Sequence, residues 1–247
     1  MAEMKIIRYS DQKYRNPIAI IGFPGIGLVG SILTSFVIRE LKMKAVAAIA
    51  SPDFPPYTLI QNGSPYPPIR VYGHERGHGS KDYGDIIIVT SEITLKPEQY
   101  YTLNTTLMEL FREMGIASVI TLEGTVQFEN NTDILACGTS EASKERIKEL
   151  GIKELDDGLV RGLTGIMLYE SFSSGMDIIA MLCPANPALP DPRAAARILE
   201  PLSKLVPELK IDVKPLYKEA EEIESKIKQQ QEYGYDVAPD DIRRLYG

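Results

Sequence analysis

The sequence predicts an α/β protein, a layered domain built on a largely parallel sheet. Three observations carry that prediction. Short apolar, β-branched runs recur at 17–21, 45–50, 85–90, 117–122 and 177–182, without the strict alternation of a half-exposed sheet, as strands covered on both faces require. Stretches of helical spacing lie between many of them, which is the pattern of strand–helix–strand units. Glycines and prolines fall at the joints.

In chain order, the run at 17–21 predicts a buried strand ended by Gly22, and 31–41 a helix. A second buried strand at 45–50 is closed by Ser51-Pro52, and six prolines in 51–68 predict an ordered, irregular loop. A short strand at 69–72 precedes a glycine-rich turn at 73–84. "DIIIVT" at 85–90 is a central strand, and 97–114 is a helix with Pro97 near its start and Gly115 as its stop. Strands follow at 117–122 and 134–137, with a charged helix at 140–150 ending at Gly151. Of the apolar runs at 165–169 and 177–182 the second is the better strand, and 192–205 is a helix. Within 213–233, Leu216, Ala220, Ile223 and Ile227 recur at steps of four, three and four, a narrow stripe on an otherwise charged helix. Such a stripe suits a helix that covers a domain or meets another subunit, or one that packs on its own domain. Gly234 and Pro239 break that helix, and 234–247 reads as a short flexible tail.

The chain of 247 residues is 44% hydrophobic and 25% charged, a globular balance with a core large enough to need no disulfides. Cys137 and Cys183 are too few and too far apart for a disulfide framework or a zinc cluster, which predicts a cytoplasmic setting. A net charge of −7 without a Lys/Arg cluster argues against a nucleic-acid partner. No apolar run is long enough to span a bilayer, and MAEMKIIRYS has no secretory h-region.

Several groups could carry chemistry. Gly25, Gly27 and Gly30 form a G-x-G-x-x-G between a strand and a helix, the fingerprint of a loop that cradles a pyrophosphate, and Asp53 lies where a ribose-binding acid would fall. Glycines there also serve simply as a turn that permits positive φ and close packing. His74-Glu75-Arg76-Gly77-His78 matches H-E-x-x-H, but its glycines disfavour the helix that motif needs, and no third histidine exists. Ser31 follows the glycine loop without a nucleophile elbow. Glu92 and Glu123 stand at the carboxyl ends of strong strands, where α/β sites form; they could act as an acid–base pair or cap neighbouring helices. Finally, Leu245-Tyr246-Gly247 offers an aliphatic side chain, an amphipathic aromatic and a carboxylate. Burying the two side chains would yield about 3–5 kcal/mol before ordering costs. That is millimolar binding at best, useful only when several copies act together.

The segment Gly22-Phe23-Pro24-Gly25-Ile26-Gly27-Leu28-Val29-Gly30 resembles the signature of the PAC2 family, the proteasome assembly chaperone group. So do Ser91-Glu92, Leu122-Glu123-Gly124 and Gly162-Leu163-Thr164-Gly165, a likeness covering about residues 15–205. The last three residues resemble the hydrophobic-Tyr-any motif with which proteasome activators dock between α-subunits. The resemblance implies a three-layer α/β/α domain over 1–212 with a mostly parallel mixed sheet, followed by the amphipathic helix and tail. It implies a homo-oligomer, tetramer or pentamer, with no established catalysis, no cofactor and no metal. It implies an assembly chaperone or ATP-independent activator whose tails enter pockets on the α-ring of the 20S core particle. The glycine loop keeps open the alternative of a nucleotide- or small-ligand-binding enzyme.

Overall fold

The computed structural model describes residues 3–61, 63–75, 84–126 and 132–232. Eleven strands and six α-helices are distributed along them. Strand β1 is Lys5–Arg8, β2 Ile18–Gly22, and helix α1 Val29–Glu40, entered through a 3-10 turn at Ile26–Leu28. Strand β3 is Lys44–Ala50, followed by a hairpin of β4, Leu59–Gln61, and β5, Ser64–Tyr66, then β6, Ile69–His74, and β7, Ile86–Ser91. Next come α2, Pro97–Met114, β8, Ser118–Thr125, β9, Leu135–Gly138, α3, Glu141–Glu149, and β10, Lys153–Glu154. Helix α4 is Gly162–Ser174, β11 Asp177–Pro184, α5 Pro192–Leu205 and α6 Lys214–Glu232.

Nine strands form one sheet in the order β1-β3-β6-β7-β2-β8-β11-β9-β10. Its centre, β7-β2-β8-β11, is parallel. The β1-β3-β6-β7 flank and the β11–β9 pair are antiparallel. The sheet is therefore mixed, with the all-buried strands at its centre: every residue of β2 and β7 is buried. Alternate residues of these strands face opposite layers. Ile18, Ile20, Ile88, Ile120 and Leu122 pack under α1 and α5, whereas Ala19, Ile21, Val89 and Val119 pack under α2 and α4. This is a three-layer α/β/α arrangement.

Local signals explain most boundaries. Pro97 opens α2, the Gln99 side chain accepts the Lys96 N–H at 2.8 Å, and Gly115 ends the helix at φ +72°. Ser140 caps α3 through the Ser143 N–H at 3.0 Å, and Asp191 caps α5 through the Ala194 N–H at 2.9 Å. Four expectations need correction. Helix α1 starts at Val29, two residues before Ser31, where Leu28 at φ +51° turns the chain into it. The proline-rich 51–68 segment contains the β4–β5 hairpin. Gly73 and His74 belong to β6 rather than to a turn. The apolar run at 165–169 is helical; such runs do not separate helix from strand by period, and Gly175 at φ +68° supplies the helix stop.

Helix α6 lies against α5. Leu216, Ala220 and Ile223 are buried within the single chain, with Leu216 part of the core beneath α1 and α5. The side chain of Ile227 and residues 233–247, including Leu245, Tyr246 and Gly247, lie outside the described residues. Among the described residues no helix is long and apolar enough to cross a membrane.

Candidate functional site

The glycine turn sits where the strand order changes direction, between β7 and β8 at the carboxyl end of β2, the place where open α/β sheets bind ligands. Its glycines are occupied by the chain itself. A Cβ on Gly22 would lie 2.1 Å from the Gly30 carbonyl oxygen, and one on Gly30 would lie 2.4 Å from that of Leu122. Across the turn, a Cβ on Gly124 would lie 1.9 Å from the Ile26 carbonyl oxygen. Gly27 adopts φ +62°, and its open side is filled by Ala185, Asp191 and the Asn186 carbonyl. Its own carbonyl accepts the Asp191 N–H at 2.8 Å, tying the turn to the start of α5. In a dinucleotide fold the second glycine leaves room for the pyrophosphate to approach; here the β11–α5 connection takes that room. Asp53 follows β3, three strands from β2, about 14 Å at normal strand spacing. The fingerprint's geometry is not met.

The two edge carboxylates face opposite layers. Glu123 lies within β8, on the side of α2 and α4, since its neighbour Leu122 faces α1 and α5. Its carboxylate accepts the Thr164 hydroxyl at 2.8 Å, and Oε2 lies 3.0 Å from where a Gly25 Cβ would stand. Burial pushes this carboxyl up to about 7, with the Thr164 hydroxyl opposing the rise. Burial also raises the Tyr100 phenol, and the nearby Glu123 charge adds to it.

Glu92 follows β7 and pairs with Arg70, which is only 3% exposed. Arg70 also donates to Gln61 Oε1 at 3.3 Å, which accepts the Tyr72 hydroxyl at 2.8 Å. Burial pushes the Glu92 carboxyl up, and Arg70 pulls it back. A pocket of about 220 Å³ lies beside Glu92, lined among others by Pro24, Ser31, Phe36 and Glu219 of α6. No histidine lines it, so Ser31 has no base there, and Glu92 is already committed to an arginine. Glu92 and Glu123 thus have separate partners and do not form an acid–base pair.

His74 ends strand β6, and His78, the second histidine of H-E-x-x-H, lies outside the described residues. Burial raises both thiols, Cys183 to about 11. Sequence reasoning missed Arg70 and Thr164 as the partners of the edge carboxylates. Arg70 had a signal: a lone arginine within Ile69-Arg70-Val71, an apolar strand, needs a buried counter-ion.

Comparison with known proteins adds three findings. The model of the PAC2 family matches residues 19–231. An uncharacterised protein of Methanocaldococcus jannaschii is 31% identical over 226 residues, 92% of this chain and 90% of that protein. Among solved structures, Pyrococcus furiosus PbaA, described as an archaeal homologue of proteasome-assembly chaperone, is 32% identical with a TM-score of 0.78, over 93% of this chain and 96% of that one. PbaB of the same organism, described as an archaeal proteasome activator, is 25% identical with a TM-score of 0.78, over 94% and 100%.

Proposed function

The chain belongs to the PAC2 family, and on that premise we propose that it serves the 20S proteasome in the cytoplasm, as an assembly chaperone or an ATP-independent activator without catalysis of its own. The observation that carries this reading is the likeness to PbaA along nearly the whole of both chains. The likeness to PbaB supports it. So does a glycine turn filled by its own chain, which leaves the signature an architectural role.

The contact we propose is the tail. Leu245 and Tyr246 enter pockets between α-subunits, and the carboxylate at Gly247 pairs with a pocket lysine. One such peptide binds weakly, so a homo-oligomer must present several, which raises avidity by roughly 10²–10⁴. Deleting Tyr246-Gly247 tests the proposal. Co-sedimentation with the core particle is expected to be lost while circular dichroism and oligomer mass stay unchanged. Extending the chain beyond Gly247 with a tag is expected to do similar damage by displacing the carboxylate. Undiminished co-sedimentation of both variants overturns the tail as the contact.

A further inference from the structure

Strands β2 and β7 run parallel, side by side. The pocket beside Glu92 opens just past their carboxyl ends, between α1 and α6. None of the signature glycines lines it, so the filled turn leaves it open. At about 220 Å³ it is smaller than the clefts of roughly 300–1,000 Å³ that hold drug-sized ligands. Its charged groups have unmet capacity. Glu92, at the floor with 18% of its side chain exposed, gives one oxygen to Arg70. Its other oxygen, Oε2, is buried and accepts no hydrogen bond among the described residues, a costly state for a carboxylate. Glu219 of α6 is partly buried, and no hydrogen bond or ion pair with another described residue holds it. Arg39 of α1 stands at the rim, 63% exposed, and meets the neighbouring Glu40 at 3.6 Å. An exposed pair of that length contributes little. Between these charges the wall is apolar, formed by Pro24, Leu28 and Ile32.

We propose that this pocket binds a small aliphatic α-amino acid. The ammonium group pairs with Glu219 and supplies Glu92 with the donor it lacks. The carboxylate pairs with Arg39 at the rim, and the aliphatic side chain covers Leu28 and Ile32. Each part of the ligand thus answers a group whose needs the chain leaves unmet. Other occupants answer fewer of them. A plain amine leaves Arg39 unmatched. A plain carboxylate brings a further negative charge against Glu92 and Glu219, which repels. A nucleotide is too large, and its phosphates meet the same repulsion. Divalent cations take six or more oxygen ligands, several of them carboxylates; here two carboxylates stand without a third, and no group of three metal-binding side chains occurs among the described residues. Because Glu219 belongs to α6 and Arg39 to α1, the bound amino acid also ties α6 to the body of the domain. The site does not rest on the proteasome reading, since it concerns the isolated protein.

Isothermal titration calorimetry on the full chain, with L-valine and L-leucine as probes, tests it. Saturable binding of one molecule per chain is expected, with a Kd below about 1 mM. Isoamylamine and isocaproate, which each lack one charged group of leucine, are expected to bind at least about tenfold more weakly. Glu219→Gln and Arg39→Gln are each expected to weaken binding of the amino acid at least about tenfold, with the circular dichroism spectrum unchanged because neither side chain belongs to the core. Ser35→Phe, at an exposed position of α1 that lines the pocket, is expected to fill it and abolish binding. Amide exchange in the first turns of α6 is expected to slow when the amino acid is present. Three results would each overturn the proposal: no saturable heat with either amino acid, a single-charge analogue that binds as tightly as L-leucine, or undiminished affinity in Glu219→Gln and Ser35→Phe alike. Deleting Tyr246-Gly247 leaves the titration untouched, so failure of this site and failure of the tail are read separately.

Discussion

The glycine turn and the outer face of α4 stand on either side of Glu123, and they use small and apolar residues in opposite ways. In the turn, Gly22, Gly27, Gly30 and Gly124 are each pressed against the chain's own atoms. On α4, Phe172 and Tyr169 are exposed among the described residues. The turn carries the more conspicuous motif and has the less room. The outer face of the helix, beyond Gly162-Leu163-Thr164-Gly165 of its first turn, carries no motif and has the open surface. A glycine pattern specifies close backbone approach, but it does not specify whether the approaching group is a ligand or another strand of the same protein.

The largest expected effect comes from adding one methyl group to the turn. Gly124→Ala places a Cβ 1.9 Å from the Ile26 carbonyl oxygen, which is backbone and cannot rotate away. The predicted cost is about 3 kcal/mol or more, by displacement of the turn from β8. Gly115→Ala is the control. It also removes a glycine, at φ +72°, but nothing lies within 4 Å of its Cβ, so only the backbone strain of about 1–2 kcal/mol remains. Urea denaturation of the two variants measures the gap between them. Equal costs would mean that the turn has slack, and the contrast with α4 would weaken.

Glu123 sharpens the comparison, because it touches both regions through Gly25 and Thr164. Its folded-state pKa is raised from 4.5 to about 7, so the folded state holds the proton more tightly than the unfolded chain does. The resulting stability is complete below the unfolded value and is lost as pH rises toward about 7. The interval corresponds to about 2–3 kcal/mol after allowing for partial exposure. Glu123→Gln keeps an acceptor for Thr164 and removes the titration. Its stability relative to wild type should therefore rise between pH 4.5 and 7 and level off above that. A difference that stays flat across that range would mean that Glu123 is solvated and the turn more open than its glycines imply.

How much of this was legible in the sequence depended on whether the signal was local. Helix α2 was readable to the residue because Pro97 is a start signal and Gly115 a stop signal, each acting within one turn. The central strands were readable because burial on both faces leaves continuous β-branched runs. Strand β1 was not, since its four residues include Lys5 and Arg8 and only pairing with β3 orders them. Helix α4 was half-hidden for the same reason that it is exposed: an all-round apolar helix has no period to detect. Glu92 and Glu123 were found by their place at the sheet edge. That they face opposite layers follows from strand parity, and parity needed the true end of β8, which carries Glu123 inside the strand rather than beyond it.

The smallest expected effect lies on α4. Phe172→Ser removes a large apolar side chain, yet at 89% exposure that side chain contributes little to the fold of one copy. Measured at protein concentrations low enough to keep the chain dissociated, the change in unfolding free energy should stay within about 0.5 kcal/mol. A loss comparable to that of Gly124→Ala in the dissociated chain would show that Phe172 is covered by its own protomer. The face would then be as filled as the turn, and the distinction between the two regions would disappear.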